Sequence, residues 1–387
     1  MRRKYLYIGA VFLVAGVYTG YAGLRPLEPI TPSITPVSFT TLKPELSLDY
    51  KFSVSLYAEG LGMLTEHRAL EPRSTASTIK VLTAALVLQK KPLKPGEQGE
   101  MITFDEQDVA RYQAMQAEGQ STVAVVAGES VTERQALEAL LVASANNIAE
   151  KLAVWAFGSQ EAYLKTAQRF TEVKGLSRTK VADASGFSAD TKSSAADMQV
   201  IVQEALQNPV ILDIASKTEV TFGSQVLTNT NKLLGIDGID GLKTGYTDEA
   251  GGSLLLTQQK GFYGETLRVS AVILGAPDRA ATFTSGRTVL AQAKDFISTV
   301  NITTKGNVVG SYSAPWGAKA EIGASDRLDS IAVKGREVFA RPEARSLLPA
   351  SKGTSVGTLS SHGKSVGIEL KEDLAPPSLW WRITHPR

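Results

Sequence analysis

Three short motifs in the sequence carry side chains suited to nucleophilic catalysis. The first places Lys80 three residues after Ser77, the second is Ser-Ala-Asn at residues 144–146, and the third is Lys-Thr-Gly at residues 243–245. A serine hydroxyl is a weak nucleophile until a neighbouring base takes its proton, and a lysine amine can be that base. The combination therefore indicates nucleophilic catalysis by a serine with a lysine as its base.

The spacing of Ser77 and Lys80 suits a helix, because residues three apart share one helix face. Apolar residues recur among alanines from residue 77 to residue 89, which predicts that Ser77 opens a helix. Free backbone N–H groups at a helix start favour negative charge, which suits an alkoxide. Lys80 acts as a base only if burial and a nearby cation lower its pKa, and Lys243 is the expected cation.

The second motif supplies a hydroxyl and an amide. Ser144 is expected to relay a proton toward the leaving amine. The amide of Asn146 is expected either to hold a substrate carbonyl or to orient Lys80. The base role itself stays open, because Lys80 and Ser144 can share or alternate it.

The third motif predicts a binding site for a carboxylate and for the oxyanion. Thr244 supplies a hydroxyl to a substrate carboxylate, and Lys243 adds positive charge. The oxyanion hole is predicted to consist of the backbone N–H groups of Ser77 and of Tyr246, which follows Gly245. These donors would act on charge that develops only in the transition state.

The order of the motifs identifies the nucleophile. Ser-x-x-Lys recurs at residues 177–180 and 361–364, so this pattern alone is weak. Only Ser77 precedes both other motifs and opens an apolar helix. All three motifs in this order are much more specific than any one of them.

The elements that position these motifs indicate an α+β fold. The capping-box pair Thr132 and Gln135 predicts a helix that continues to about Trp155. Alternation and apolar runs predict further elements: a strand at 52–57 pairing with 61–70, a helix at 194–206, and a buried hairpin of 254–257 with 269–274. Beyond about residue 300, short alternating segments predict a small β-rich domain.

The sequence divides into four segments. Residues 1–24 combine three basic residues with an uncharged run long enough to span a membrane, so we expect a retained anchor or, as the alternative, a cleaved signal. Residues 25–46 are rich in proline and are expected to form an extended spacer. Residues 47–298 form the predicted catalytic domain and residues 299–387 the β-rich domain. The chain beyond the anchor is expected outside the cytoplasm.

Composition excludes several other classes of function. The 387 residues include 41 basic and 39 acidic ones, so the formal net charge of +2 gives no reason to expect a nucleic-acid partner. Cysteine is absent, and the three histidines, at positions 67, 362 and 385, have no metal-ligand spacing. No metal and no cofactor are expected.

The motifs and their surroundings resemble the low-molecular-mass penicillin-binding proteins of the D-alanyl-D-alanine carboxypeptidase type. The similar blocks are residues 76–84, 144–149, 183–187, 194–197 and 241–247. The resemblance implies a penicillin-binding, β-lactamase-like serine acyl-transferase fold, with a β-sheet flanked by helices. It also implies hydrolysis of the terminal D-Ala-D-Ala bond of peptidoglycan stem peptides and covalent trapping by β-lactams.

Two departures from the family pattern stand out. Family members often carry Asp where this chain has Asn147. Many of them also end in an amphipathic anchoring helix, whereas no such helix is expected around Trp380 and Trp381, so the anchor is expected at the N-terminus. The small C-terminal domain matches the family's accessory domain in size only.

Other reactions on the same fold remain as alternatives. A β-lactamase would need a second base, and the nearest candidate, Glu204, does not match the expected Glu-x-x-Leu-Asn pattern. Endopeptidase or transpeptidase activity depends on cleft shape, and a weakly catalytic penicillin-sensing module is the third possibility. A serine hydrolase with a histidine as its base is the last alternative. His67 is the one histidine within the predicted catalytic domain, and it is interpreted as a solvated loop residue.

Overall fold

The computed structural model describes residues 2–47 and 51–385, the side chains of residues 2–6 excepted. The chain divides into two compact units, one of residues 44–297 and one of residues 298–387 with those up to residue 43. The domain limits 47–298 and 299–387 stay a prediction. Residues 1, 48–50 and 386–387 lie outside the described part of the chain.

Most helices begin where a polar side chain accepts a hydrogen bond from the first turn, as Ser159, Ser194 and Asp278 do. Such caps satisfy backbone N–H groups that have no partner within the helix. In chain order the helices are α1 (Arg2–Leu24), α2 (Lys80–Lys90), α3 (Glu106–Ala117), α4 (Glu133–Leu141), α5 (Asn146–Phe157), α6 (Gln160–Val173), α7 (Ala195–Leu206), α8 (Pro209–Ala215), α9 (Arg279–Ala291), α10 (Ala293–Phe296) and α11 (Leu379–Thr384).

The strands pair antiparallel throughout the described ladders. In chain order they are β1 (Pro32–Ile34), β2 (Val37–Thr40), β3 (Ser53–Ala58), β4 (Gly62–His67), β5 (Arg73–Ser74), β6 (Met101–Thr103), β7 (Ser130–Thr132), β8 (Lys192–Ser193), β9 (Glu219–Phe222), β10 (Gln225–Thr228), β11 (Ile239–Thr247), β12 (Gly251–Phe262), β13 (Glu265–Ala276), β14 (Ile297–Thr303), β15 (Val308–Ser313), β16 (Lys319–Ala324), β17 (Leu328–Val333), β18 (Glu337–Ala344), β19 (Ser355–Ser361) and β20 (Lys364–Leu370).

The unit of residues 44–297 is built on a five-stranded sheet in the order β11-β12-β13-β3-β4. Successive side chains of a strand point to opposite faces. On one face Leu254, Leu256 and Ile273 surround Gly286 of helix α9. Leu255 and its neighbours on the other face belong to the core formed with helices α2, α4, α5 and α7. The predicted fold, a β-sheet flanked by helices, is confirmed.

Several predicted elements of this unit agree with the structure. Strands β3 and β4, helix α7 and the hairpin of β12 with β13 all lie where the sequence patterns place them. His67, however, ends strand β4 opposite Val54, so its interpretation as a loop residue is wrong. Its exposed polar neighbours Glu66 and Arg68 fit the edge of a sheet, and β4 is one of the two outer strands.

The long helix predicted from Thr132 to about Trp155 is divided in two. The capping box of Thr132 and Gln135 is present and opens α4, but α4 ends at Leu141 and α5 begins at Asn146. Between them Ser144 has a backbone φ of 64°, in the left-handed region that a helix cannot contain. The apolar periodicity continues across the break because both helices pack on the same core.

The other unit contains a seven-stranded sheet in the order β1-β15-β16-β20-β19-β18-β2. Its two outer strands come from the proline-rich segment, which was predicted to be an unpacked spacer. Edge strands tolerate proline because one side of their backbone needs no partner. The C-terminal segment also differs from expectation, since residues Leu379–Thr384 form the short helix α11, which contacts helix α1.

Candidate active site

Ser77 lies in a 3₁₀ turn, Ala76–Ile79, that leads directly into helix α2. Lys80 is the first residue of α2, and its Nζ lies 2.7 Å from the Ser77 Oγ. The serine is partly exposed while the lysine is fully buried. The predicted pairing of these two residues on one helical face is therefore present.

Lys80 is held by two further contacts. Its Nζ donates to the Asn146 Oδ1 at 2.6 Å and to the backbone carbonyl of Ser185 at 2.9 Å. Burial lowers the pKa of the Lys80 amine well below its ordinary value; the nearby charge of Lys243 lowers it further, and Asp183 opposes the shift. This shift favours the neutral amine, whose lone pair can accept a proton.

Ser144 and Asn146 flank the break between α4 and α5. The left-handed backbone at Ser144 turns the chain, and Asn146 then opens α5. Both residues are nearly buried, with 4% and 3% of their surfaces exposed. The second motif is therefore a turn beside Lys80, and the sequence pattern placed it inside a continuous helix.

The third motif lies on β11, which is an outer strand of the sheet on the side opposite β4. Lys243 is buried, and its Nζ donates to the carbonyl of Thr244 at 3.0 Å. Burial lowers the pKa of Lys243 to about 7. The hydroxyl of Thr244 donates to that of Thr230 at 2.7 Å. Lys243 thus supplies a positive charge that titrates near neutrality.

Gly245 brings this strand against the nucleophile. A Cβ atom at Gly245 would lie 2.9 Å from the backbone N of Ser77 and 3.0 Å from the Cβ of Ala76. Only glycine permits so close a backbone approach. The next residue, Tyr246, has the guanidinium carbon of Arg279 at 4.5 Å from its ring centroid. The backbone of Gly245, the residue before Tyr246, therefore lies against that of Ser77, and the predicted oxyanion hole of the Ser77 and Tyr246 N–H groups stays a prediction.

Four residues of this site were given no role from the sequence, although two of them, Asp183 and Ser185, lie in the family-like block 183–187. Ser185 contacts Lys80 through its backbone carbonyl, so its side-chain type gives no signal. Gln120 accepts a hydrogen bond from Asn146 at 2.6 Å across a long sequence separation. Asp183 accepts from Ser185, and Arg279 follows the helix cap Asp278 without any motif of its own. The contact of Gln120 with Asn146 and that of Ser185 with Lys80 join residues that are far apart in the sequence.

Glu204, which was considered as a second base, lies away from this site's hydrogen-bonded groups. Glu204 lies on α7 and forms an ion pair with Lys174 at 2.7 Å, so it is engaged with helix α6. Within residues 2–47 and 51–385, no group of three or more His, Asp or Glu side chains is arranged to hold a metal ion.

The fold and this site define a penicillin-binding type of serine acyl-transferase. The structure is similar to that of the peptidoglycan synthesis regulatory factor PBP3 from Streptococcus pneumoniae, with a TM-score of 0.62 and 22% identity, covering 85% of this chain and 100% of the other. It is also similar to the ampicillin-bound penicillin-binding protein D2 from Listeria monocytogenes. The TM-score is 0.53 and the identity 27%, and the match covers 65% of this chain and 99% of the other.

Residues 57–278 match the peptidase S11 family model, described as D-alanyl-D-alanine carboxypeptidase, and the chain belongs to this family. The D-alanyl-D-alanine carboxypeptidase DacF of Bacillus subtilis is 27% identical over 239 residues, 60% of this chain and 59% of the relative. The D-alanyl-D-alanine carboxypeptidase DacD of Escherichia coli is 24% identical over 392 residues, which cover 99% of this chain and 95% of the relative. The matched region thus spans less than two thirds of DacF but nearly all of DacD.

Proposed function

We propose that this chain is a serine D-alanyl-D-alanine carboxypeptidase that removes the terminal D-alanine from peptidoglycan stem peptides. The observation that carries the proposal is the contact of 2.7 Å between the Lys80 Nζ and the Ser77 Oγ, made by a lysine that is fully buried. Membership of the carboxypeptidase family supports the same reaction.

Acylation begins when the Ser77 hydroxyl gives its proton to the neutral amine of Lys80. The Oγ then attacks the carbonyl carbon of the penultimate D-alanine, and the oxyanion is held by the N–H groups of Ser77 and Tyr246. As the C–N bond breaks, the leaving D-alanine nitrogen takes a proton from Lys80, relayed through the Ser144 hydroxyl. The products of this step are free D-alanine and an ester on Ser77.

The terminal carboxylate of the substrate fixes the direction of binding. The protonated Lys243 and the hydroxyl of Thr244 lie on the strand beside Ser77, where they can receive that carboxylate. Water then attacks the ester carbonyl, and Lys80 takes one water proton as the Ser77 oxygen leaves and is reprotonated. A β-lactam carries a similar carboxylate and acylates the same serine, so we propose it as a covalent inhibitor.

The N-terminal helix supports a site of action outside the cytoplasm. Residues Tyr7–Leu24 of α1 have a mean hydropathy of 1.5, and 6% of them are buried. A helix of this length that exposes apolar side chains fits a membrane anchor or a signal sequence. We propose that α1 is a retained anchor. The full chain should then stay in the membrane fraction after a carbonate wash. Recovery of the protein in the soluble fraction without residues 1–24 would contradict this.

The activity is tested with the full chain in detergent and the substrate diacetyl-Lys-D-Ala-D-Ala. D-Alanine release is compared for the wild type, Ser77→Ala and Ser177→Ala. The last variant is a matched control, because Ser177 opens a second Ser-x-x-Lys pattern and is exposed. We expect a loss of about a thousandfold or more in Ser77→Ala and no loss in Ser177→Ala.

Two results would contradict this proposal. D-Alanine release at the wild-type rate by Ser77→Ala would remove this serine from the mechanism. Acylation of the wild type by a fluorescent penicillin, without release from the stem peptide but with cleavage of cross-linked muropeptides, would replace the carboxypeptidase by an endopeptidase.

A further inference from the structure

The amide of Asn146 connects the buried lysine to a loop that ends helix α3. Its Oδ1 accepts from Lys80 at 2.6 Å, and its Nδ2 donates to the Gln120 Oε1 at 2.6 Å. Gln120 in turn donates its Nε2 to the Glu118 Oε2 at 2.6 Å. Four side chains thus form a continuous line of hydrogen bonds from the protein surface to the base.

The direction of these hydrogen bonds decides whether Lys80 can act as a base. A neutral amine has two N–H donors and one lone pair. When Lys80 donates to Asn146 and to the carbonyl of Ser185, both donors are used, and the lone pair remains for the Ser77 hydroxyl. If the Asn146 amide were reversed, its Nδ2 would donate to that lone pair and compete with Ser77.

The surface end of the line fixes this direction. An ionised carboxylate only accepts hydrogen bonds, so Glu118 requires the amide nitrogen of Gln120. The Gln120 oxygen is then the group that faces Asn146, and it requires the Nδ2 of Asn146. Each amide has one orientation as a consequence, and the Asn146 oxygen faces Lys80.

The loop that carries Gln120 is itself fastened to the second motif. The backbone N of Asn146 donates to the Ser121 carbonyl at 2.7 Å. The Asn147 side chain accepts from the Val123 N at 3.1 Å and donates to the Val123 O at 2.8 Å. These bonds hold Gln120 at a fixed distance from Asn146, so its amide is preorganised.

We propose that Gln120 is a positioning residue, which with Glu118 sets the orientation of the Asn146 amide and thereby directs the lone pair of Lys80 toward Ser77. This inference rests on the proposed function, since it assigns Lys80 as the base. Gln120 acts through Asn146, and it lies on the side of Asn146 away from Lys80.

The test measures acylation of the full chain by a fluorescent penicillin, with the non-covalent dissociation constant and the acylation rate constant determined separately. In Gln120→Leu we expect the rate constant to fall about ten- to a hundredfold, with the dissociation constant unchanged. Gln116→Leu is the matched control, because Gln116 is an exposed glutamine in the last turn of α3, just before this loop, and it should acylate like the wild type.

The decisive variant is the double substitution Glu118→Gln with Gln120→Glu, which exchanges the carboxylate and the amide of these two residues. The carboxylate at 120 still accepts from Asn146, and the amide at 118 donates to it, so the direction of the line is preserved. Gln120→Glu alone brings two carboxylates together and should acylate slowly. The double variant should return to within about threefold of the wild-type rate constant.

Two outcomes would overturn the assignment. One is an unchanged acylation rate constant in Gln120→Leu, and the other is a double variant that stays as slow as Gln120→Glu although it unfolds at the wild-type temperature. A failure of the proposed function is distinguishable, because the wild type itself would then form no adduct or release no D-alanine.

Discussion

Gly186 lies directly against the backbone of Ala76, so that a Cβ atom added to Gly186 would overlap the carbonyl oxygen of Ala76. The two residues belong to two turns of the active site. Ala76 precedes the nucleophile, and Gly186 follows Ser185, whose carbonyl accepts from Lys80. Gly186 also has a φ of 77°, in the region that favours glycine. The contact therefore sets the distance between the nucleophile's turn and a partner of its base.

Gly186→Ala is expected to separate these two turns. The added methyl group must displace the Ala76 carbonyl, and the left-handed backbone alone costs about 1 kcal/mol for alanine. We expect the acylation rate constant to fall at least about tenfold. Gly175→Ala is the matched control, because Gly175 has a φ of 68° and nothing within 4 Å of its added Cβ. Equal acylation by both variants would contradict the prediction.

Much of the site could be predicted from the sequence because its residue types are chemically distinctive. Ser77 and Lys80 lie one helical turn apart, so local geometry brings them together without knowledge of the fold. The pairing of Lys80 with Asn146, by contrast, spans 66 residues, and the sequence left two roles open for this amide. The structure places its oxygen against Lys80, which supports the orienting role.

The parts that could not be predicted depend on the backbone and on distant contacts. The left-handed turn at Ser144 interrupts an apolar pattern that continues through both helices, so periodicity alone predicted one helix. The proline-rich segment forms edge strands because distant strands offer it partners, and composition carries no information about them. Ser185 contributes only a carbonyl, which every residue type possesses.

Asn147→Asp, which introduces the residue often found in the family, is expected to destabilise this chain. Asn147 is 6% exposed, and its Nδ2 donates to the Val123 carbonyl. A carboxylate has no such donor, and the loss of a buried hydrogen bond costs about 1–3 kcal/mol in the free energy of unfolding, measured in urea. Asn208→Asp is the control, because the Asn208 oxygen accepts from the Val210 N at a helix start. A stable Asn147→Asp variant would contradict the prediction.

A buried ion pair between α4 and its neighbours is expected to matter for stability. Glu138 accepts from Lys217 at 2.5 Å and lies 3.4 Å from Arg134, whose side chain is 7% exposed. Glu138→Ala removes this partner from both cations; Arg134 keeps its ion pair with Asp213, so we expect a cost of about 1–3 kcal/mol in the free energy of unfolding. Asp329→Ala removes an exposed pair with Arg327 and should change the free energy of unfolding by less than about 1 kcal/mol. Equal effects in urea unfolding would refute the distinction.

The pH dependence of acylation should reveal the charge of Lys243. Burial lowers its pKa to about 7, so the free protein loses this charge as the pH rises through neutrality. A penicillin carboxylate then binds more weakly, and we expect the second-order acylation rate constant to fall by up to about tenfold per pH unit above that pKa. Loss of the proton from Lys80, whose pKa burial also lowers, acts in the opposite direction and gives a rising limb, because only its neutral form is a base.

Lys243→Arg separates these two limbs. A guanidinium stays protonated up to about pH 12, so the falling limb near neutrality should disappear while the rising limb remains. The larger arginine side chain fits the site less well and lowers the acylation rate constant at every pH. This does not alter the expectation, because the test is the shape of the pH profile. Lys180→Arg is the control, since Lys180 is 68% exposed, and it should keep both limbs. A falling limb that persists unchanged in Lys243→Arg would assign that titration to another group.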